Sequence, residues 1–73
     1  MNINLYTLPT CGICHMIKTK MINKKIDFKE YNLLDYTKEL NIDRAPVLQV
    51  IQNGQKTLYT SPRAIVQWIN EVS

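Results

Sequence analysis

Long apolar runs are missing from this 73-residue chain, and with them any stretch of about 18 apolar residues able to span a bilayer as a helix. Glycine and proline are scarce, at two and three residues, which argues against disorder. One histidine and two cysteines are too few to close a tetrahedral zinc site within one chain. No basic-then-apolar leader opens the sequence, which reads directly into a strand, so an intracellular and cytoplasmic setting is expected. There a cysteine pair is catalytic more often than structural. The net charge of +3 rests on scattered lysines (Lys18, Lys20, Lys24, Lys25 and Lys29), read as a solvated face of a first helix and its exit. Nucleic acid would call for a denser basic patch with interleaved aromatics. Repeats, linkers and low-complexity segments are absent, so residues 1–73 are expected to form one domain. That length is near the lower limit for a single core without staples.

What is present centres on Thr10-Cys11-Gly12-Ile13-Cys14-His15. Upstream, Asn2–Thr7 alternates polar and apolar, the period of a half-buried strand, and Pro9 breaks the pattern. Downstream, Ile13, Ile17 and Met21 recur at helical spacing. Cys11 therefore falls at or just before a helix start and Cys14 one turn inside. The helix dipole and unpaired N–H groups at that end favour an anion, hence a thiolate at Cys11, and a lowered pKa makes cysteine a nucleophile at neutral pH. With two residues between them, the second sulfur can attack the first without unwinding the helix. Reversible dithiol exchange is the leading reading. Cys-x-x-Cys-His is also the string of c-type haem attachment, and zinc would need a second chain. An inert staple closes too small a loop to constrain much unfolded chain.

The remaining chain predicts a helix from about Gly12 to Lys24 and a second strand over Ile26–Tyr31. Strand, helix and strand in this span form a β-α-β unit, with parallel strands and a right-handed crossover. Apolar residues at 33, 36 and 40, with Asn32 as cap, predict a short second helix over 32–40. Pro46–Ile51 reads as a third strand. Asn53-Gly54 is a strong hairpin signal, since both residues tolerate positive φ, and Lys56–Tyr59 is the return strand. Ser61 as cap and Pro62 at the first helical position open a last helix, with Ile65, Val66, Ile69 and Val72 as its apolar stripe. The order β-α-β-α-β-β-α is an α/β fold, the minimal thioredoxin fold: one four-stranded mixed sheet with three helices on its two faces. Pro46 is either a strand-edge residue or follows a cis bond after Ala45.

With Cys11-Gly12-Ile13-Cys14 after a first strand and Ala45-Pro46 before a hairpin, the sequence resembles a glutaredoxin over essentially its whole length. Tyr6-Thr7-Leu8-Pro9-Thr10 is similar to that family's lead-in. The resemblance implies a cytoplasmic thiol–disulfide oxidoreductase, with Cys11 as attacking and Cys14 as resolving thiol. It implies a cis proline at Pro46 lying against the cysteine pair, and an Ala45 backbone that pairs with the cysteinyl part of glutathione or a peptide. Glutathione would be co-substrate, with no bound cofactor, and disulfide-containing proteins the other partners of a monomer. The implied substrate-binding residues are Thr10, Gly12, Ile13, Arg44, Ala45, Pro46 and Ser61.

Three departures bear on the donor. Leu8 stands where the family commonly has a lysine, Arg44-Ala45 where it has Thr-Val, and Tyr59-Thr60-Ser61-Pro62-Arg63 where it has Gly-Gly and an acidic residue. Arg44 could replace the lysine, and N–H groups near Ser61 could hold a carboxylate. The chain is also similar to small glutaredoxin-like redoxins that reduce ribonucleotide reductase and draw on thioredoxin reductase. A small residue after the first cysteine, here Gly12, leaves open a non-catalytic module that binds metal, an iron–sulfur cluster or haem.

Overall fold

A computed structural model describes residues 1–72. β1 (Asn2–Thr7) runs into α1 (Gly12–Asn23), followed by β2 (Lys29–Asn32), α2 (Thr37–Leu40), β3 (Val47–Gln52), β4 (Gln55–Tyr59) and α3 (Pro62–Val72). The sheet order is β2-β1-β3-β4. β1 pairs parallel with β2, and the β1–β3 and β3–β4 pairs are antiparallel. This is the expected order, in a mixed four-stranded sheet.

Alternation along β1 divides the core in two. Ile3 and Leu5 face α1 and α3, joining Ile17, Met21, Leu48, Val50, Ile65, Trp68 and Ile69. Tyr6 points to the opposite face and packs with Leu33 and Val47, with Leu8, Tyr31, Tyr36, Leu40, Ile42 and Ala45 around them. The rings of Tyr6, Tyr31 and Tyr36 have centroids 5.2–5.4 Å apart, within the range where aromatic pairs attract beyond area burial. The Tyr6 hydroxyl donates to Gln49 Oε1 at 3.3 Å, and Asn4 Nδ2 donates to the same oxygen at 3.0 Å.

Several expected boundaries move, each for a local reason. α1 closes on Lys25 in the left-handed region (φ 58°). Lys25 N–H donates to Ile22 O and Ile26 N–H to Met21 O, both at 3.0 Å. That pattern is a Schellman closure, with lysine where glycine is usual. Ile26 is thereby tied to the helix end, and β2 starts at Lys29 rather than Ile26. The expected second helix is split into a 3-10 turn over Leu33–Asp35 and the single α-helical turn of α2. Asn32 does cap it, accepting Leu34 N–H at 3.0 Å. Tyr36, between the two pieces, takes φ −126°, outside the helical range.

The buried stripe of α1 is Cys14, Ile17 and Met21, and Ile13 is half exposed at 49%. In α3 Trp68 is buried in the core, and Val72, expected on the apolar stripe, is exposed. Asn53 and Gly54 both take positive φ (54° and 79°), as a tight hairpin turn requires, and Gln55 belongs to β4. Pro62 opens α3, with Ile65 N–H donating to Ser61 O at 3.0 Å.

Candidate active site

β1 ends at Thr7, and Leu8-Pro9-Thr10 turns the chain into α1, with Cys11 N–H donating to Leu8 O at 3.1 Å. Cys11 is the N-cap of α1 (φ −91°, ψ 104°), and its Sγ accepts the backbone N–H of Cys14 at 3.1 Å. The cap role that serine or aspartate oxygen usually fills falls here to sulfur. Cys11 and Cys14 are joined in a disulfide with Cα atoms 5.2 Å apart. Cys11 is partly exposed, and Cys14 is 2% exposed. An incoming sulfur therefore meets Cys11 first.

Register places the other expected site residues. The last β1–β3 pair is Tyr6–Val47 and the last β3–β4 pair is Leu48–Tyr59. The end of β1, the start of β3 and the end of β4 thus share one edge of the molecule. Thr10, Gly12 and Ile13 adjoin Cys11 there and are exposed. Arg44, exposed, leads into half-buried Ala45 and fully buried Pro46, and the Ala45–Pro46 bond is cis. Ser61, exposed, precedes α3 at the same edge. Leu8 is taken up in the second apolar cluster, which accounts for an aliphatic side chain where a lysine is common. A Cβ at Gly12 would meet nothing within 4 Å, so glycine there is not required by space.

Three residues at the site escaped the sequence reading. Thr7 Oγ1 donates to Glu30 Oε2 at 2.9 Å, and Lys18 Nζ forms an ion pair with Glu30 Oε1 at 3.2 Å. Glu30 pairs with Leu5 in the parallel ladder, so it shares the α1 face with Leu5 and Thr7. Together with Leu8, Pro9, His15 and both cysteines, these residues line a cleft of about 160 Å³ on the β2 side of the disulfide. Lys18 is thus an engaged charge, not the free solvated one expected. Its position four residues after Cys14, on the same helical face, was the available signal.

A larger groove of about 250 Å³ lies along Asn2–Asn4 and Asp27–Lys29, away from the sulfurs. The cysteine pair adjoins the smaller cleft and the exposed edge beside it. Among the described residues no group of three or more His, Cys, Asp or Glu side chains is arranged to hold a metal ion, and no helix is long and apolar enough to cross a membrane.

A cysteine pair that closes and caps the first helix turn at the edge of this sheet is the construction of a thiol–disulfide oxidoreductase. The glutaredoxin family model matches residues 3–58, and the chain belongs to the glutaredoxin family. NrdH-redoxin from Escherichia coli has a similar structure, with a TM-score of 0.65 and 23% identity, over 92% of this chain and 93% of that one. Thioredoxin 1 from Thermosipho africanus matches at TM-score 0.70 and 18% identity, over 99% and 90%. Maleylacetoacetate isomerase from Anaeromyxobacter dehalogenans, solved with glutathione bound, matches at TM-score 0.75 and 19% identity. The match takes in 97% of this chain but 37% of the isomerase, so the chain spans about a third of that protein's length. At these identities the likenesses concern the fold. No curated protein matches the sequence.

Proposed function

We propose that the protein is a monomeric cytoplasmic dithiol glutaredoxin, reduced by glutathione. The observation that carries the reading is the cap: Cys11 Sγ sits at the α1 start and accepts the Cys14 N–H at 3.1 Å. That donor and the positive helix end stabilise a thiolate. The Cys11 thiolate attacks one sulfur of a substrate disulfide, forming a mixed disulfide and releasing the first thiol. Cys14, as thiolate, attacks the Cys11 sulfur, closes the Cys11–Cys14 bond and releases the second thiol. Two electrons pass from the protein to the substrate. One glutathione thiolate then opens the bridge at Cys11, and a second attacks the glutathione sulfur of that adduct, giving glutathione disulfide and the reduced protein.

Glutathione is an anionic tripeptide, and three features support it as donor. Arg44 is exposed beside Ala45-Pro46, and the N-terminus of α3 opens at the same edge. The groove at Ala45-Pro46 would bind through backbone groups, which Val-to-Ala replacement leaves intact. No bound cofactor is required by this cycle. A charge-assisted contact is worth about 1.5–3 kcal/mol, so Arg44→Ala should lower kcat/KM for glutathione by roughly tenfold or more.

A second reading has its own observations. Leu8 is committed to packing, Pro62 removes an N–H at the start of α3, and the chain matches NrdH-redoxin over nearly the full length of both. That redoxin is a glutaredoxin-like protein with a thioredoxin-like activity profile. On this reading thioredoxin reductase would be the donor and ribonucleotide reductase a substrate. Two NADPH-coupled assays separate the readings, one with glutathione and glutathione reductase, the other with thioredoxin reductase alone. Turnover in the first supports the proposal. Turnover only in the second replaces glutathione with the reductase.

A further inference from the structure

We propose that the paired charges of Lys18 and Glu30, on the β2 side of the disulfide, each shift the ionisation of Cys14, in opposite directions, and with it the pH at which the second exchange step begins. This inference rests on the dithiol cycle above, in which Cys14 resolves the mixed disulfide.

Cys14 is 2% exposed, and it lines the β2-side cleft together with Cys11, His15, Lys18 and Glu30. A proton leaving its sulfur has this cleft as its route. The charged or titratable groups that face it are Cys11, His15 and Lys18 from α1 and Glu30 from β2. Thr7, Leu8 and Pro9 complete the wall without charge. α3 meets α1 through Ile65, Trp68 and Ile69 against Ile17 and Met21, and its charges, Arg63 and Glu71, are exposed and outside that cluster. Arg44 leads into β3, on the other side of β1 from β2.

Within the cleft the pair supplies two opposed charges held in place. Lys18 follows Cys14 by one helical turn on the same face. Glu30 is pinned at both oxygens, by Lys18 at 3.2 Å and Thr7 at 2.9 Å. The ammonium favours a Cys14 thiolate and the carboxylate opposes it. A half-exposed pair contributes little to folding, so each charge can be removed with the fold intact. Lys18 and Glu30 are positioning residues, acting on the sulfur through charge.

The test uses an aryl disulfide, 5,5′-dithiobis(2-nitrobenzoate), with reduced protein in stopped flow. Cys11 attacks and releases one coloured aryl thiolate. Cys14 then loses its proton to solvent, attacks the Cys11 sulfur and releases the second. The rate of the second release against pH gives the midpoint for Cys14. Lys18→Gln should raise that midpoint and Glu30→Gln lower it, each by about 0.5 pH unit. Both shifts should shrink in molar salt, and Lys18→Arg should restore the original value. A common loss of structure would move both variants the same way. Shifts in one direction, or none, overturn the proposal, as does a midpoint that vanishes in His15→Gln. A wild-type protein that releases only one aryl thiolate overturns the dithiol cycle instead, which keeps the two failures apart.

Discussion

The sulfur of Cys11 caps the helix that carries Cys14, accepting its backbone N–H at 3.1 Å. The two sulfurs therefore sit in opposed settings within one turn. Cys11 is partly exposed at the positive helix end, and Cys14 is 2% exposed in surroundings where burial disfavours charge.

From this asymmetry the reduced Cys11 should be the more acidic thiol. Iodoacetamide alkylation at pH 6 should run faster for Cys14→Ser, which keeps Cys11, than for Cys11→Ser. Each unit of pKa difference should appear as roughly three- to fourfold in rate, because the gain in thiolate fraction is partly offset by lower nucleophilicity. Faster reaction of the protein that keeps only Cys14 would reverse the two roles.

The α1 exit offers a stabilising change. Lys25 has φ 58°, a conformation that costs a side-chain-bearing residue about 1–2 kcal/mol. Lys25→Gly removes that cost and loses some through glycine's greater freedom when unfolded. A net gain of about 0.5–1 kcal/mol should raise Tm by several degrees in a domain of this size. Calorimetry that shows a lower Tm would rule this out.

Gly12, by contrast, has open space where a Cβ would stand. Gly12→Ala should keep exchange activity and stabilise by about 0.5 kcal/mol, through a less free unfolded chain. Urea melts read the second effect and the aryl disulfide assay the first. Lost activity with an unchanged melt would show that glycine is needed for substrate approach.

Tyr6 ties stability to alkaline pH. Its pKa lies above the ordinary tyrosine value, first because burial disfavours the phenolate and then because Tyr31, Tyr36 and Glu39 add like charge. The neutral form is the one the fold prefers. Its contribution is complete below the unfolded value near 10 and fades as pH rises through the higher folded value. The urea midpoint should therefore fall more steeply above pH 10 in the wild type than in Tyr6→Phe. Parallel curves would remove Tyr6 from the account.

Leu5, wholly buried on the central strand β1, is one of the most tightly enclosed core positions. Leu5→Ala should cost about 2–5 kcal/mol, a large share of the 5–15 kcal/mol typical of a domain. A shift in urea midpoint equivalent to under 1 kcal/mol would mean that the core closes around the cavity.

Much of this architecture was legible because its rules are local. Asn53-Gly54, Ser61-Pro62 and the alternation of Asn2–Thr7 each specify a backbone path within a few residues, and the Cys11–Cys14 spacing specified the reactive turn. What escaped depended on partners distant in sequence or on an unusual residue in a common role. The late start of β2 follows from lysine filling a glycine position at 25. The second helix broke at Tyr36, whose ring packs with Tyr6 and Tyr31. Ile13 and Cys14 are neighbours in sequence, and only the packing of α1 decided which was buried. The Thr7–Glu30–Lys18 contacts needed the parallel register of β1 and β2, which no short stretch of sequence contains.

The bridge between Cys11 and Cys14 encloses two residues and lies within one turn of α1. Both apolar clusters are assembled without either sulfur. Breaking the bridge frees only the two residues between the cysteines, so the oxidised and reduced proteins should have nearly the same outline. A partner that distinguishes the spent carrier from the charged one then has no change of shape to read. Its discrimination must come from the sulfurs themselves, through the charge and reach of Cys11 at the open edge.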